Sequence, residues 1–246
     1  MTMRQCPRCI VLSLNRTTVM PMSTRHRTIV AAKYLSLMAL LFCCALVLFT
    51  VLQHTPVNTG VGFLQIKQDY MQTMPWPIVF YVHIFSSMFA LVMGVMQLSK
   101  KIRVRHTTMH RWLGRMYVLN VLLVAAPAGL IMSIDANDGF SSRTALTVLP
   151  CLWWYFTYTA YWSVIHRDFI GHRNFMVRSF ALTLSIITLR LWEMGLMAYV
   201  EHPPMDLLYP MIAWLGFMPN LMVAEWWIRR TATSHATVSS VNETKI

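Results

Sequence analysis

Six runs of mostly apolar residues, near 29–52, 78–98, 112–134, 144–165, 179–199 and 207–228, constrain this chain more than anything else in it. Each has about the 20 residues that a helix needs to cross the hydrocarbon of a bilayer. Inside hydrocarbon, only helices and closed barrels satisfy every backbone N–H and C=O. The predicted fold is therefore all-α, a polytopic membrane bundle of six transmembrane helices occupying residues 29–230. Of the 246 residues, 56% are hydrophobic and 12% charged, which leaves little chain for a soluble domain. Residues 1–28 read as a basic N-terminal tail, and residues 231–246, which lack any apolar period, read as a disordered one.

The net charge of +12 would suggest a nucleic-acid partner in a soluble protein. Here it follows loop position instead. Arg4, Arg8, Arg16, Arg25, Arg27 and Lys33 lie at the N-terminus, and Lys100, Lys101, Arg103, Arg105, Arg111 and Arg115 lie between spans two and three. Arg167, Arg173 and Arg178 lie between spans four and five, and Arg229, Arg230 and Lys245 follow span six. The other connections hold Lys67 and Arg143 against Asp69, Asp135, Asp138, Glu201 and Asp206. The positive-inside rule then places both termini in the cytoplasm. The partner implied is the lipid bilayer and not nucleic acid; a homo-oligomer stays open.

Cys6 and Cys9 form a CPRC pair that supplies two metal ligands at most, and Cys43, Cys44 and Cys151 lie in apolar runs, so no disulfide framework is implied. The basic, acid-free first 28 residues also fit a transit peptide, and translation from Met20 or Met22 would leave a sufficient lead-in to span one. Ala90 with Gly94 and Ala125 with Gly129 have the spacing that lets membrane helices approach closely. Pro127, Pro150 and Pro219 each free a carbonyl inside a span, so kinks are expected there.

Two joins on the cytoplasmic side resemble each other. "MHRWLGRMYVLN" begins at residue 109 and "GHRNFMVRSFAL" at residue 171, so that His110 matches His172 and Arg111 matches Arg173. Two hairpins of one orientation, spans two with three and four with five, are thus read as a parallel internal repeat. His110 and His172 stand at one membrane level and can face one another; His106 shares the face of His110 if that helix starts early. Interfacial anchoring by His, Arg and Trp112 explains the same residues without a ligand.

Ionisable groups at depth point to function unless they neutralise each other. His83, Arg190 and Glu193 fall at one level toward the outer side. Arg190 and Glu193 are three residues apart and can pair on one helix face, or all three can line an outward polar cavity for proton exchange or ligand binding. On the cytoplasmic side, Asn220 and Glu225 of span six accompany Arg115 and Arg178, either of which can balance Glu225. Span four is crowded with rings, Trp153, Trp154, Tyr155, Phe156, Tyr158, Tyr161 and Trp162, which suit lipid and headgroups or, alternatively, a flat cofactor.

The stretch "YVHIFSSMFALVMGVMQLSKKIRVRHTTMHRWLGRMYVL", with "HRNFMVRSFALTLSIITLRLW" and "WLGFMPNLMVAEWWIRR", resembles the bacterial membrane-protein family catalogued as domain of unknown function 2306. The ordered set His83, His110, Gly114, His172, Arg178, Arg190, Asn220 and Glu225 carries the likeness, over about residues 78–230. It implies a multi-pass protein of the bacterial inner membrane and no particular activity. A looser likeness is to the transmembrane b-type cytochromes, which hold haem between paired histidines. Only His83 is well inside a span, since His54 and His202 are in outer loops, so the two-haem arrangement is not matched. A single cytoplasmic-side haem b on His110 and His172, with Arg111 and Arg173 at its propionates, is the leading expectation. The alternatives are a proton-coupled transporter or small-molecule binder using His83, Arg190 and Glu193, and a scaffold without chemistry. No hydrolytic triad, phosphate loop, zinc-protease motif or metal cluster is present in the sequence, and whether the protein is an enzyme stays open.

Overall fold

The computed structural model describes residue 45 and residues 76–134, 139–199 and 205–243. The first apolar run apart from residue 45, the N-terminal tail with its CPRC pair, and His54 and His202 lie outside these residues. Among the described residues the chain is helical, with no strand. In chain order the elements are α1 (Trp76–Leu98), α2 (Lys100–Arg105), α3 (Thr107–Asn120), a π-helical turn (Val121–Ala125), α4 (Ala126–Ile134), α5 (Gly139–Ile165), α6 (Phe169–Thr183), α7 (Ser185–Tyr199) and α8 (Met205–Glu243).

Three stretches are long and apolar enough to cross a membrane: Trp76–Leu98, Thr107–Ile134 and Phe169–Leu196. Helix α5 has 27 residues and α8 has 39, so length is sufficient in both. Their Trp, Tyr, Ser, Thr and Pro content keeps their hydropathy lower. Helix α8 runs to Glu243, through the stretch read as a tail.

Helix boundaries differ from the apolar runs in an informative way. The runs begin at 112 and 179, but the helices begin at Thr107 and Phe169. A helix starts at its cap, whereas an apolar run starts where the last charged side chain ends. The fifth run is divided at Leu184, although no Gly or Pro lies there. Hydroxyl groups surround the break: Thr183 Oγ1 donates to the Ser179 carbonyl and Thr188 Oγ1 to the Leu184 carbonyl. Such back-bonding competes with the backbone ladder and bends helices. Pro150, Pro210 and Pro219 lie inside helices that continue through them, while Pro127 follows the wide π turn directly.

The core is built of small residues interleaved with a few large ones. Ala90, Ala125, Ala126, Ala145 and Ala213 surround Met93, Tyr117, Trp153, Leu182 and Phe217. Lipid tails are as apolar as Leu, so close van der Waals packing and interhelical hydrogen bonds must hold such a bundle together. Gly94 shows the closeness, because a Cβ there would run into the Phe180 ring of α6. At Gly129 a Cβ would sit 2.8 Å from Cε1 of His83. Both small-residue pairs therefore lie at helix contacts.

Gly94→Ala is expected to cost about 1–3 kcal/mol by overpacking. Gly195→Ala, which meets nothing within 4 Å, leaves stability unchanged or slightly raised. Thermal unfolding of the two variants in the same detergent checks the contrast.

Candidate functional site

The two histidine joins differ in path and agree in outcome. Between α1 and α3 the chain makes the six-residue helix α2, set off by extended Ser99 and by His106 at φ −126°, ψ 60°. Between α5 and α6 it makes only a tight turn, with Arg167 at φ 62°. The internal repeat thus does not extend to the connecting structure. Even so, His110 is the fourth residue of α3 and His172 the fourth of α6. Their N–H groups donate to the carbonyls of the capping residues, His106 at 3.0 Å and Asp168 at 2.9 Å. Asp168 caps α6 further by accepting from the Gly171 N–H at 2.8 Å. His106 occupies the break before α3, so it does not continue the helical face of His110.

The two imidazoles are held differently. His172 Nδ1 lies 2.8 Å from the Ala160 carbonyl of α5 and, in that contact, must be the protonated nitrogen. The lone pair of its Nε2 is then free to bind. His110 Nδ1 is buried and has no hydrogen-bond partner. The charges of His172 and Arg103 both act on the His110 ring. Gln97 of α1 fixes the His110 backbone by donating from Nε2 to its carbonyl at 2.8 Å, and Gly114 leaves room for the Gln97 side chain. Arg111 stays on its own helix, with Nε 3.5 Å from the Thr107 carbonyl. Arg173 reaches α8, its guanidinium 4.8 Å from the centre of the Trp227 ring.

His83 belongs to a separate locus. Its Nδ1 lies 2.9 Å from the carbonyl of Ala125, inside the π turn. One residue before that turn, Asn120 Nδ2 donates to the Ser86 carbonyl at 2.8 Å. A π turn offsets the carbonyls from the regular ladder, which gives side chains on α1 acceptors to meet. Arg190 and Glu193 do not join His83; they pair with each other at 2.6 Å, three residues apart on α7. Helix α7 packs on α8 and touches α6, whereas α1 packs on α3, the π turn, α4 and α6.

The remaining polar residues also divide. Arg178 of α6 makes a two-point pair with Glu225 of α8, at 2.5 and 3.0 Å, beneath the rings of Phe156 and Phe175. Arg115 is exposed and takes no part. Asn220 bonds to Thr188 of α7, with 2.9 and 3.1 Å contacts, and to the Gly216 carbonyl at 3.3 Å. It is a clasp between α7 and α8 and does not meet Glu225.

One centre has no counterpart among the sequence-derived sites. The Tyr117 hydroxyl, fully buried, contacts Ser179 Oγ at 2.8 Å and Thr183 Oγ1 at 2.7 Å and accepts from Trp153 Nε1 at 3.4 Å. Thr157 Oγ1 adds a 2.7 Å bond to Ser179. The visible signals were a lone Tyr in an apolar run and the Ser179/Thr183 pair four residues apart. Among the described residues no group of three or more His, Cys, Asp or Glu side chains is set to hold a metal.

Tyr117→Phe is expected to cost about 1–2 kcal/mol, because three buried partners lose their centre. Arg178→Leu, leaving Glu225 without its two-point partner, should lower stability more than Arg178→Leu with Glu225→Leu. The loss stays below the ~3–5 kcal/mol of a fully buried pair, since Glu225 is 37% exposed. Denaturant titration of the single and double variants reads both effects.

A family model described as a predicted membrane protein, domain of unknown function 2306, matches residues 80–228, which run from α1 into α8. No curated protein and no solved structure matches the chain. The matched segment contains His83, His110, His172, Arg178, Arg190, Asn220 and Glu225 in the order described, and the chain belongs to the domain of unknown function 2306 family of membrane proteins.

Proposed function

We propose that this protein is a multi-pass protein of the bacterial inner membrane, with both termini cytoplasmic, that binds one haem b between His110 and His172 and serves a redox reaction. The observation that carries the reading is the state of the two imidazoles. His172 has its Nδ1 committed to the Ala160 carbonyl, the arrangement that orients a metal-binding histidine and leaves Nε2 to the metal. His110 has a buried ring nitrogen that no protein group satisfies. A buried, unpartnered polar atom is costly, and a group from outside the chain relieves that cost.

The donor set favours haem over a bare ion. Zinc takes three or four protein ligands, and the described residues provide no such cluster. Two imidazoles suffice where a macrocycle supplies the other four nitrogens. Haem so held supplies reversible one-electron chemistry, with the axial ligands setting its potential. Arg111 and Arg173 are the propionate partners proposed, and Arg103 adds positive charge beside His110. A transporter built on His83, Arg190 and Glu193 has less support, because Arg190 and Glu193 neutralise each other and His83 is bonded to the π turn.

Protein purified in detergent from haem-replete cells is expected to show a Soret band near one equivalent per chain. His110→Ala and His172→Ala each abolish it, and His83→Ala leaves it unchanged. Colourless wild-type protein overturns the reading.

A further inference from the structure

The cations of α2 differ from those of α6 and α8. Those on α6 and α8 have protein partners: Arg178 pairs with Glu225, Arg173 stacks on Trp227, and Arg230 lies 4.1 Å over the Trp226 ring. Those on α2 have none. Lys100, Lys101, Arg103 and Arg105 are all exposed, and no carboxylate or side-chain hydrogen bond engages them among the described residues. No acidic residue occurs between Asp69 and Asp135.

Four like charges on a helix that rises only about 9 Å repel one another. They are nonetheless held together, because the breaks at Ser99 and His106 confine α2 between two long helices. Ile102 is its one half-buried residue and faces the bundle. Near the cations in the chain stand exposed apolar side chains: Val104 is 67% exposed and Trp112 63%. An exposed Trp beside exposed Lys and Arg is the composition of a membrane–water interface, where ring and aliphatic stems enter the acyl boundary and the charges meet phosphate.

We infer that the α2 elbow is a binding surface for anionic phospholipid headgroups, with Lys100, Lys101, Arg103 and Arg105 on the phosphates and Val104 and Trp112 in the acyl boundary. A headgroup surface discriminates, because a net-negative lipid gains from every cation near it and a zwitterionic lipid does not. The elbow also leads directly into the first turn of α3, so a headgroup seated on Arg103 lies beside the join that carries His110. The inference does not depend on haem and stands with colourless protein.

The test uses the full chain in detergent, delipidated and then titrated with phosphatidylglycerol or phosphatidylcholine. Retained lipid is counted by native mass spectrometry, and thermal unfolding is followed in parallel. The expected result is selective retention of phosphatidylglycerol with a raised melting temperature. Arg105→Gln weakens retention about fivefold, the worth of one charge at a membrane surface, and the four-fold Gln variant removes the selectivity. Equal retention of the two lipids by the wild-type chain overturns the proposal without any variant having to fold. Protection by inorganic phosphate equal to that by phosphatidylglycerol also overturns it, since the site would then take a free anion. Unchanged selectivity in the four-fold variant, shown to be helical by circular dichroism, places any lipid site elsewhere and overturns it as well.

Discussion

The hydroxyl of Tyr117 is the contact on which the arrangement of the described helices most depends. It reaches Ser179 and Thr183 on α6 while accepting from Trp153 on α5, so one oxygen ties together three helices. Helices α3 and α6 meet through this side chain more than through close backbone packing. In water such a centre would be secondary to apolar burial. In a bilayer the surrounding tails offer the apolar residues nearly as much as the protein does, and polar bonds together with close packing decide which helices are neighbours. The small residues around it, Ala90, Ala125 and Ala145, bring backbones near enough for a side chain of this length to span the gap.

Tyr117 meets Ser179 and Thr183 in the later turns of α3 and α6. His110 and His172 occupy the same position within the first turns of those helices. The chain reaches that equivalence by two routes, a short basic helix in one join and a three-residue turn in the other. The three histidines described in most detail follow one rule with one exception. His83 and His172 each place Nδ1 on a main-chain carbonyl, and His110 alone has a buried nitrogen without one.

Much of this was legible in the residues. The all-helical character, the small residues at Gly94 and Gly129 and the Arg190/Glu193 pair follow from spacing along single helices, and Glu225 takes Arg178, one of the two partners at its depth. What was not legible required knowledge of helix rotation and of which helices adjoin. Asn220 was grouped with Glu225 by depth, but five residues of helix turn it toward Thr188 on another neighbour. His83 was grouped with Arg190 and Glu193 by depth too, and it is oriented by the π turn, a feature without a residue signature beyond the nearby Pro127. The break at Leu184 lies among hydroxyl groups that look unremarkable in the sequence, because a Ser or Thr in a span can bond to its own helix or to another.

Helix α5 shows why hydropathy understates this bundle. Its inner face is Ala145, Trp153, Thr157 and Ala160, all buried. Its outer face is a column of rings four residues apart: Trp154 and Tyr158 stack at 5.3 Å, Tyr158 and Trp162 at 6.2 Å, and Trp162 and His166 at 4.4 Å. Rings bury or present large apolar area to lipid while carrying one polar atom each, so a hydropathy scale marks them down although their faces suit the bilayer. The same division of faces serves the histidine site. Ala160 has only a methyl group beside its carbonyl, and that buried oxygen is the one that His172 Nδ1 reaches across the turn between α5 and α6. A larger residue at the fully buried position 160 would press the two helices apart, and the orientation of the imidazole would be lost with the contact.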